Sequence, residues 1–136
     1  MQSEDTTRNA VRLMQDRRAE AVKMEGGKEI VESVRRLTQM GIPVMAHFGL
    51  LPQRHISVSG YKVQGRTADS AQSVLHSALA LQNARAFSFL LEAIPHQLGA
   101  YITSKLTIPT IGIGAGPGTS GQVLVWSDVM SMWVGA

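Results

Sequence analysis

Short apolar runs of four or five residues recur between stretches with helical spacing, and this alternation limits the possible folds more than any other feature of the chain. The strand candidates are Ala21–Glu25, Val44–His47, Phe87–Leu91, Thr110–Ile113 and Val123–Trp126. Two of them are entered through the same dipeptide, Ile42-Pro43 and Ile108-Pro109. Ser3, followed by Glu4 and Asp5, is a helix start with acidic groups near the positive end of the dipole, and Ala10, Leu13, Met14 and Arg17 follow at helical spacing. Ile30, Val31, Val34 and Leu37 mark a second helix, closed by Gly41 at C′. Ala71, Val74, Leu75, Ala78 and Leu79 mark a third, and Pro95 opens a fourth that reaches Lys105. Strand and helix in repeated alternation predict right-handed βαβ units around a parallel sheet, an α/β fold. Residues 1–136 read as a single domain, with no linker or low-complexity segment.

Composition narrows the function classes. Hydrophobic residues, at 44%, supply a core, and the 17% of charged residues is below the average of about 25%, which argues against disorder. The net charge of +3 comes from 13 basic and 10 acidic residues mixed along the chain, and aromatics are only 5%. A nucleic-acid surface calls for a basic stripe with stacking aromatics, so no nucleic-acid partner is expected. The absence of cysteine excludes disulfides, thiolate zinc sites and a cysteine nucleophile. No apolar run approaches the roughly 20 residues of a membrane span, so no membrane partner is expected. Met1-Gln2-Ser3-Glu4-Asp5 carries no secretory pattern, and its acidic pair argues against a transit peptide. The expectation is a soluble intracellular protein, cytoplasmic, or mitochondrial if the source is eukaryotic.

In parallel α/β proteins functional groups gather at the C-terminal ends of the strands. Lys23 and Glu25, His47, Glu92 and the glycines from Gly112 to Gly116 all fall there. Lys23 and Glu25, two apart on one strand, share a face. They read either as a structural ion pair or as a cation for a substrate carboxylate beside an acidic group near a metal. His47 taken alone reads as a satisfied core histidine sooner than as a ligand. Glu92 ends an apolar run, so desolvation would raise its pKa toward general-base duty; its bland reading is a helix cap or ion-pair partner. Gly112-Ile113-Gly114-Ala115-Gly116 has the look of a phosphate cradle, but Pro117-Gly118 follows where a helix should start, and close backbone approach to the pocket is the better reading. Phe48 to Asp69 reads as a long binding loop or lid, whose Lys62 and Arg66 are anion-binding candidates or merely solvated charges. Met24, Met40, Met45 and Met130 read as packing residues.

Several segments together resemble one family. They are Ala-Val-Lys-Met-Glu-Gly-Gly (21–27), Gly-Ile-Pro-Val-Met-Ala-His-Phe-Gly-Leu-Leu-Pro-Gln (41–53), Gly-Tyr-Lys-Val-Gln-Gly-Arg-Thr (60–67), Leu-Leu-Glu-Ala-Ile-Pro (90–95), Ile-Pro-Thr-Ile-Gly-Ile-Gly-Ala-Gly-Pro (108–117) and Gly-Gln-Val-Leu-Val (121–125). In type and order they resemble the ketopantoate (3-methyl-2-oxobutanoate) hydroxymethyltransferases. The resemblance implies a (β/α)8 TIM barrel, of which this chain carries a partial barrel of about five parallel strands, the fourth to the eighth by motif order. It implies transfer of a hydroxymethyl group from 5,10-methylenetetrahydrofolate to 3-methyl-2-oxobutanoate in pantothenate biosynthesis, with Mg²⁺ holding the keto acid. Glu92 matches the general base, Lys23 and His47 the substrate-binding residues, and Glu25 the acidic residue of the metal site. Residues 60–67 match a loop near the substrate opening, and the family implies a homo-oligomer.

The sequence departs from the family pattern in places. Two aspartates and a serine that the family carries on earlier strands have no counterpart at Asp5, Asp16, Asp69 or Asp128. Ala46 stands in place of a glycine, Ser127 in place of a histidine or acidic residue, and Arg85 in a segment that is commonly small. Glu25 alone is a poor magnesium site, because that ion takes near-octahedral oxygen coordination. The alternative expectation is therefore a truncated, non-catalytic family fragment that acts as an assembly or interaction module. Another barrel enzyme acting on small keto acids is a third reading, opposed by the 60–67 segment and the motif order.

Overall fold

In the computed structural model, which describes residues 2–49 and 64–132, neighbouring strands lie parallel and follow one another across the sheet in chain order. A first helix, α1 (Gln2–Asp16), precedes β1 (Val22–Glu25). A 3₁₀ turn (Lys28–Ile30) leads into α2 (Val31–Gln39), then β2 (Val44–Gly49), α3 (Ala68–Asn83), β3 (Ser88–Glu92), α4 (His96–Lys105), β4 (Thr110–Ile113), β5 (Gly121–Gln122) and the short α5 (Trp126–Val129). This sequential parallel order is the one expected of consecutive strands in a barrel wall. Among the described residues no helix is long and apolar enough to cross a membrane.

Register assigns the two faces of the sheet. Val22 pairs with Val44, Glu25 with His47, His47 with Leu90, Gly49 with Glu92, and Glu92 with Ile113. Because side chains alternate along a strand, Val44, Ala46, Phe89 and Leu91 share the face toward the helices, where each is fully buried. Val34 and Leu37 of α2, Ala78 and Leu81 of α3 and Ile102 of α4 cover them, also with no exposed area. Burying such a side chain contributes about 1.5–3 kcal/mol, so this layer is the main apolar term that holds the sheet to its helices. The opposite face carries Lys23, Glu25, His47, Leu90, Glu92, Ile111 and Ile113.

Two boundaries differ from the expectation. The last strand is Gly121–Gln122 rather than Val123–Trp126, and Trp126 already begins α5. The cause is a hydrogen-bonded hook that sets the register early. The Ser120 N–H donates to Thr110 Oγ1 and the Thr110 N–H to Ser120 Oγ, each at 3.2 Å. Gly121 then lies opposite Ile111, and after the Val123 N–H donates to the Gly112 carbonyl (3.0 Å) the chain turns away. Phe48 and Gly49, expected at the start of the long loop, still belong to β2, and Asp69, expected at its end, already belongs to α3, whose N-cap is Thr67. Residues 50–63, Lys62 among them, lie outside the described residues. Trp133, the end of the expected apolar tail, does so too.

Candidate active site

Three adjacent strands carry ionisable groups on the face turned away from the helices. β1 brings Glu25 at its C-terminal end and Lys23 two residues before it, β2 brings His47, and β3 brings Glu92 at its end. The chain therefore gathers all four expected site residues. Gly26 lets β1 end there. Its φ of +146° lies in the region that L side chains avoid, its N–H donates to the His47 carbonyl (3.0 Å), and a Cβ on it would come within 2.7 Å of Ile30 Cγ2.

His47 is the centre of the cluster. Its side chain is 1% exposed and stands between two carboxylates, with Nε2 3.0 Å from Glu92 Oε2 and Nδ1 3.6 Å from Glu25 Oε1. His47 is therefore buried, as the core-histidine reading expects, and it stands between two acidic groups. Glu25 thus has His47 beside it, a neighbour that the Lys-x-Glu spacing did not suggest. Glu92 does not cap α4, whose N-cap is Pro95 without a side-chain cap. Burial pushes the Glu92 carboxyl above its ordinary range; the Lys23 charge partly offsets this, and the negative charges of Glu25 and Asp128 add to the rise.

Glu92 and Lys23 face a pocket of about 320 Å³ whose other walls are apolar: Met45, Leu90, Ile111 and Ile113 from the sheet, and Val123, Leu124 and Val125 beyond β5. A cation and a carboxylate in an apolar cleft suit a small anion with an apolar part. Met45, read from sequence as packing, is a pocket wall. Met40 and Met130, read in the same way, are 56% and 52% exposed. Asp128 matched no motif, yet its charge reaches Glu92 from α5, and nothing in its local sequence signals that approach. The glycine run does not line this pocket. Cβ atoms on Gly116 and Gly118 would meet His96 and Ala100 of α4, and one on Gly112 would meet Thr119, so its close approach is to neighbouring chain. Arg66 is described and exposed.

Magnesium fits poorly to the donors present. Glu25 is the acidic residue at the expected position, its partner is an imidazole, and among the described residues no group of three or more His, Cys, Asp or Glu could hold an ion. A hard cation that demands several oxygens does not get its shell from these side chains.

Across residues 1–136 the sequence matches the family model described as ketopantoate hydroxymethyltransferase. The chain belongs to that family. It is 51% identical over 130 residues to the 3-methyl-2-oxobutanoate hydroxymethyltransferase of Heliobacterium modesticaldum, an alignment that covers 96% of this chain and 47% of the relative. The protein of the same name from Geobacter sulfurreducens is 51% identical over 128 residues, covering 94% and 48%. That from Thermobifida fusca is 48% identical over 129 residues, covering 95% and 46%. The chain thus spans about half the length of the curated relatives it matches. A five-stranded parallel α/β sheet in sequential order accords with part of the family's barrel.

Proposed function

We propose that this chain carries the keto-acid-activating side of the hydroxymethyltransferase site. The observation that carries the reading is the Glu92 carboxyl, raised by burial, held 3.0 Å from His47 and facing Lys23 across an apolar pocket. Lys23 binds the carboxylate of 3-methyl-2-oxobutanoate, and Met45, Leu90 and Ile111 receive its branched end. Glu92 removes the proton from the carbon next to the keto group, and His47 holds that carboxylate in place. Water opens the methylene bridge of 5,10-methylenetetrahydrofolate, breaking both of its C–N bonds, so that tetrahydrofolate leaves and the carbon is at the level of formaldehyde. The carbanion equivalent adds to that carbon, and its oxygen takes up a proton as the hydroxyl of 2-dehydropantoate. The family implies Mg²⁺, which as a Lewis acid would stabilise the enolate. Because the donors described here do not complete its shell, no step above is assigned to it.

The test is ketopantoate formation by the purified chain, with Glu92→Gln beside it. Loss of the base is expected to lower kcat by about 10²–10⁴-fold, and Lys23→Met to raise KM for the keto acid. Turnover that survives Glu92→Gln would remove Glu92 from the role of base.

A second reading has its own support. Leu124 and Trp126 are 67% and 72% exposed, in a run of exposed apolar residues from Val123 to Trp126. A chain with that surface and a lone metal-site carboxylate suits an assembly module. A folded chain that forms no product and associates as its concentration rises would favour this second reading.

A further inference from the structure

The last residue of β2, Gly49, sits in register with the last residue of β3, Glu92. Gly49 is buried and has φ +115°, and a Cβ on it would lie 1.8 Å from the Glu92 carbonyl oxygen and 2.8 Å from the Glu92 carbonyl carbon. Both are main-chain atoms, so no flexible side chain can move aside. Immediately after Glu92, Ala93 takes φ +50°, an uncommon conformation for a residue with a Cβ. It is tied on both sides: its N–H donates to the Ile113 carbonyl (2.9 Å), and its own carbonyl accepts from the Gln64 N–H (3.3 Å). Two residues before Gly49 on the same strand, His47 reaches the Glu92 carboxylate at 3.0 Å. β2 therefore touches Glu92 twice, at its main chain through the bare Cα of Gly49 and at its side chain through the imidazole.

The geometry points to Gly49 and Ala93 as positioning residues for Glu92: main-chain contact on one side and a tied left-handed turn on the other fix where the carboxylate leaves the sheet, within reach of His47. This rests on the reading of Glu92 as the base. Neither residue touches substrate, and both act through Glu92. A side chain at Gly49 must separate the ends of β2 and β3, which moves the carboxylate away from His47 and toward water.

The test combines steady-state kinetics with the ¹³C-carboxyl titration of Glu92, followed by NMR in Glu-labelled chain. In Gly49→Ala, kcat is expected to fall on the order of 100-fold while KM for the keto acid stays within about threefold, as for a misplaced group that acts after binding. The Glu92 midpoint should move down toward the ordinary carboxylate range. Gly41→Ala is the control: Gly41 is also left-handed, at φ +83°, but a Cβ there meets nothing within 4 Å. It should cost stability while leaving kcat and the Glu92 midpoint unchanged. A folded Gly49→Ala chain with both readouts at wild-type values would overturn the proposal. If Gly49→Ala does not fold, Ala93→Gly decides, since glycine accepts φ +50° and frees the turn. There a kcat lower by about tenfold, or a lowered midpoint, supports the clamp, and wild-type values of both overturn it. A wild-type chain without turnover would fail the base reading alone, because the titration still reports where the carboxylate sits.

Discussion

If Glu92 is the base, its raised carboxyl has opposing consequences for stability and function. Its carboxyl is raised in the folded chain, first by burial and then by Glu25 and Asp128. Between the unfolded pKa and the folded one the native state binds more protons, so stability falls as pH rises through that window. Below it the group is neutral in both states and costs nothing. Glu92→Gln is therefore expected to raise Tm at neutral pH and to match wild type well below the window; a Tm deficit at neutral pH would mean that the His47 contact outweighs desolvation. A base of this kind also places the acidic limb of kcat/KM above the ordinary carboxylate range. The C-terminal ends of α2 and α3 share one hydrogen-bond pattern. After α2, the Gly41 N–H donates to the Thr38 carbonyl and the Ile42 N–H to the Leu37 carbonyl; after α3, the Arg85 N–H donates to the Gln82 carbonyl and the Ala86 N–H to the Leu81 carbonyl. Both are Schellman ends, with φ +83° at Gly41 but +68° at Arg85. Arg85→Gly should stabilise by about 1 kcal/mol in urea unfolding, less the extra chain entropy of glycine.

At the scale of elements, the helices were legible because each carries its own periodicity and ends. Val34 and Leu37 are buried where the spacing put them, and Gly41 stands at the expected C′ position. β5 was misplaced because Val123-Leu124-Val125-Trp126 has strand composition, whereas hydrogen bonds between Thr110 and Ser120 start the pairing earlier and leave those residues exposed. Composition speaks for a local preference, and register is settled by a partner strand. The start of α3 is local again. Thr67 Oγ1 accepts from the Ser70 N–H (3.2 Å) and Ser70 Oγ from the Thr67 N–H (3.0 Å), a reciprocal capping box. Thr67→Ala should cost about 1 kcal/mol, read as a lower urea midpoint at unchanged m-value. An unchanged midpoint would mean that packing of Val74, Ala78 and Leu81 alone holds the helix.

For the molecule as a whole, the two faces of the sheet have different tasks. One is closed by helices; the other carries Lys23, Glu25, His47 and Glu92 and an apolar rim that runs out to Leu124 and Trp126. Exposed apolar surface of that kind drives association. Sedimentation of the chain should show concentration-dependent assembly that weakens in Leu124→Ser/Trp126→Ser; a monomer at all concentrations would leave the apolar rim without that role. That Lys23, Glu25, His47 and Glu92 share one face of the sheet could be read without coordinates, because period-two alternation and position along a strand depend on neighbours along the chain. The approach of Glu25 to His47 could not. By itself the sequence determined the parallel alternation, the helices and which ionisable groups end strands. The tertiary structure alone decided that His47 stands between two carboxylates, that Asp128 adds its charge to Glu92, and that Gly49 abuts the Glu92 main chain. Those meetings join residues about 20 to 45 positions apart, and they follow from strand register and close packing, which no local pattern encodes.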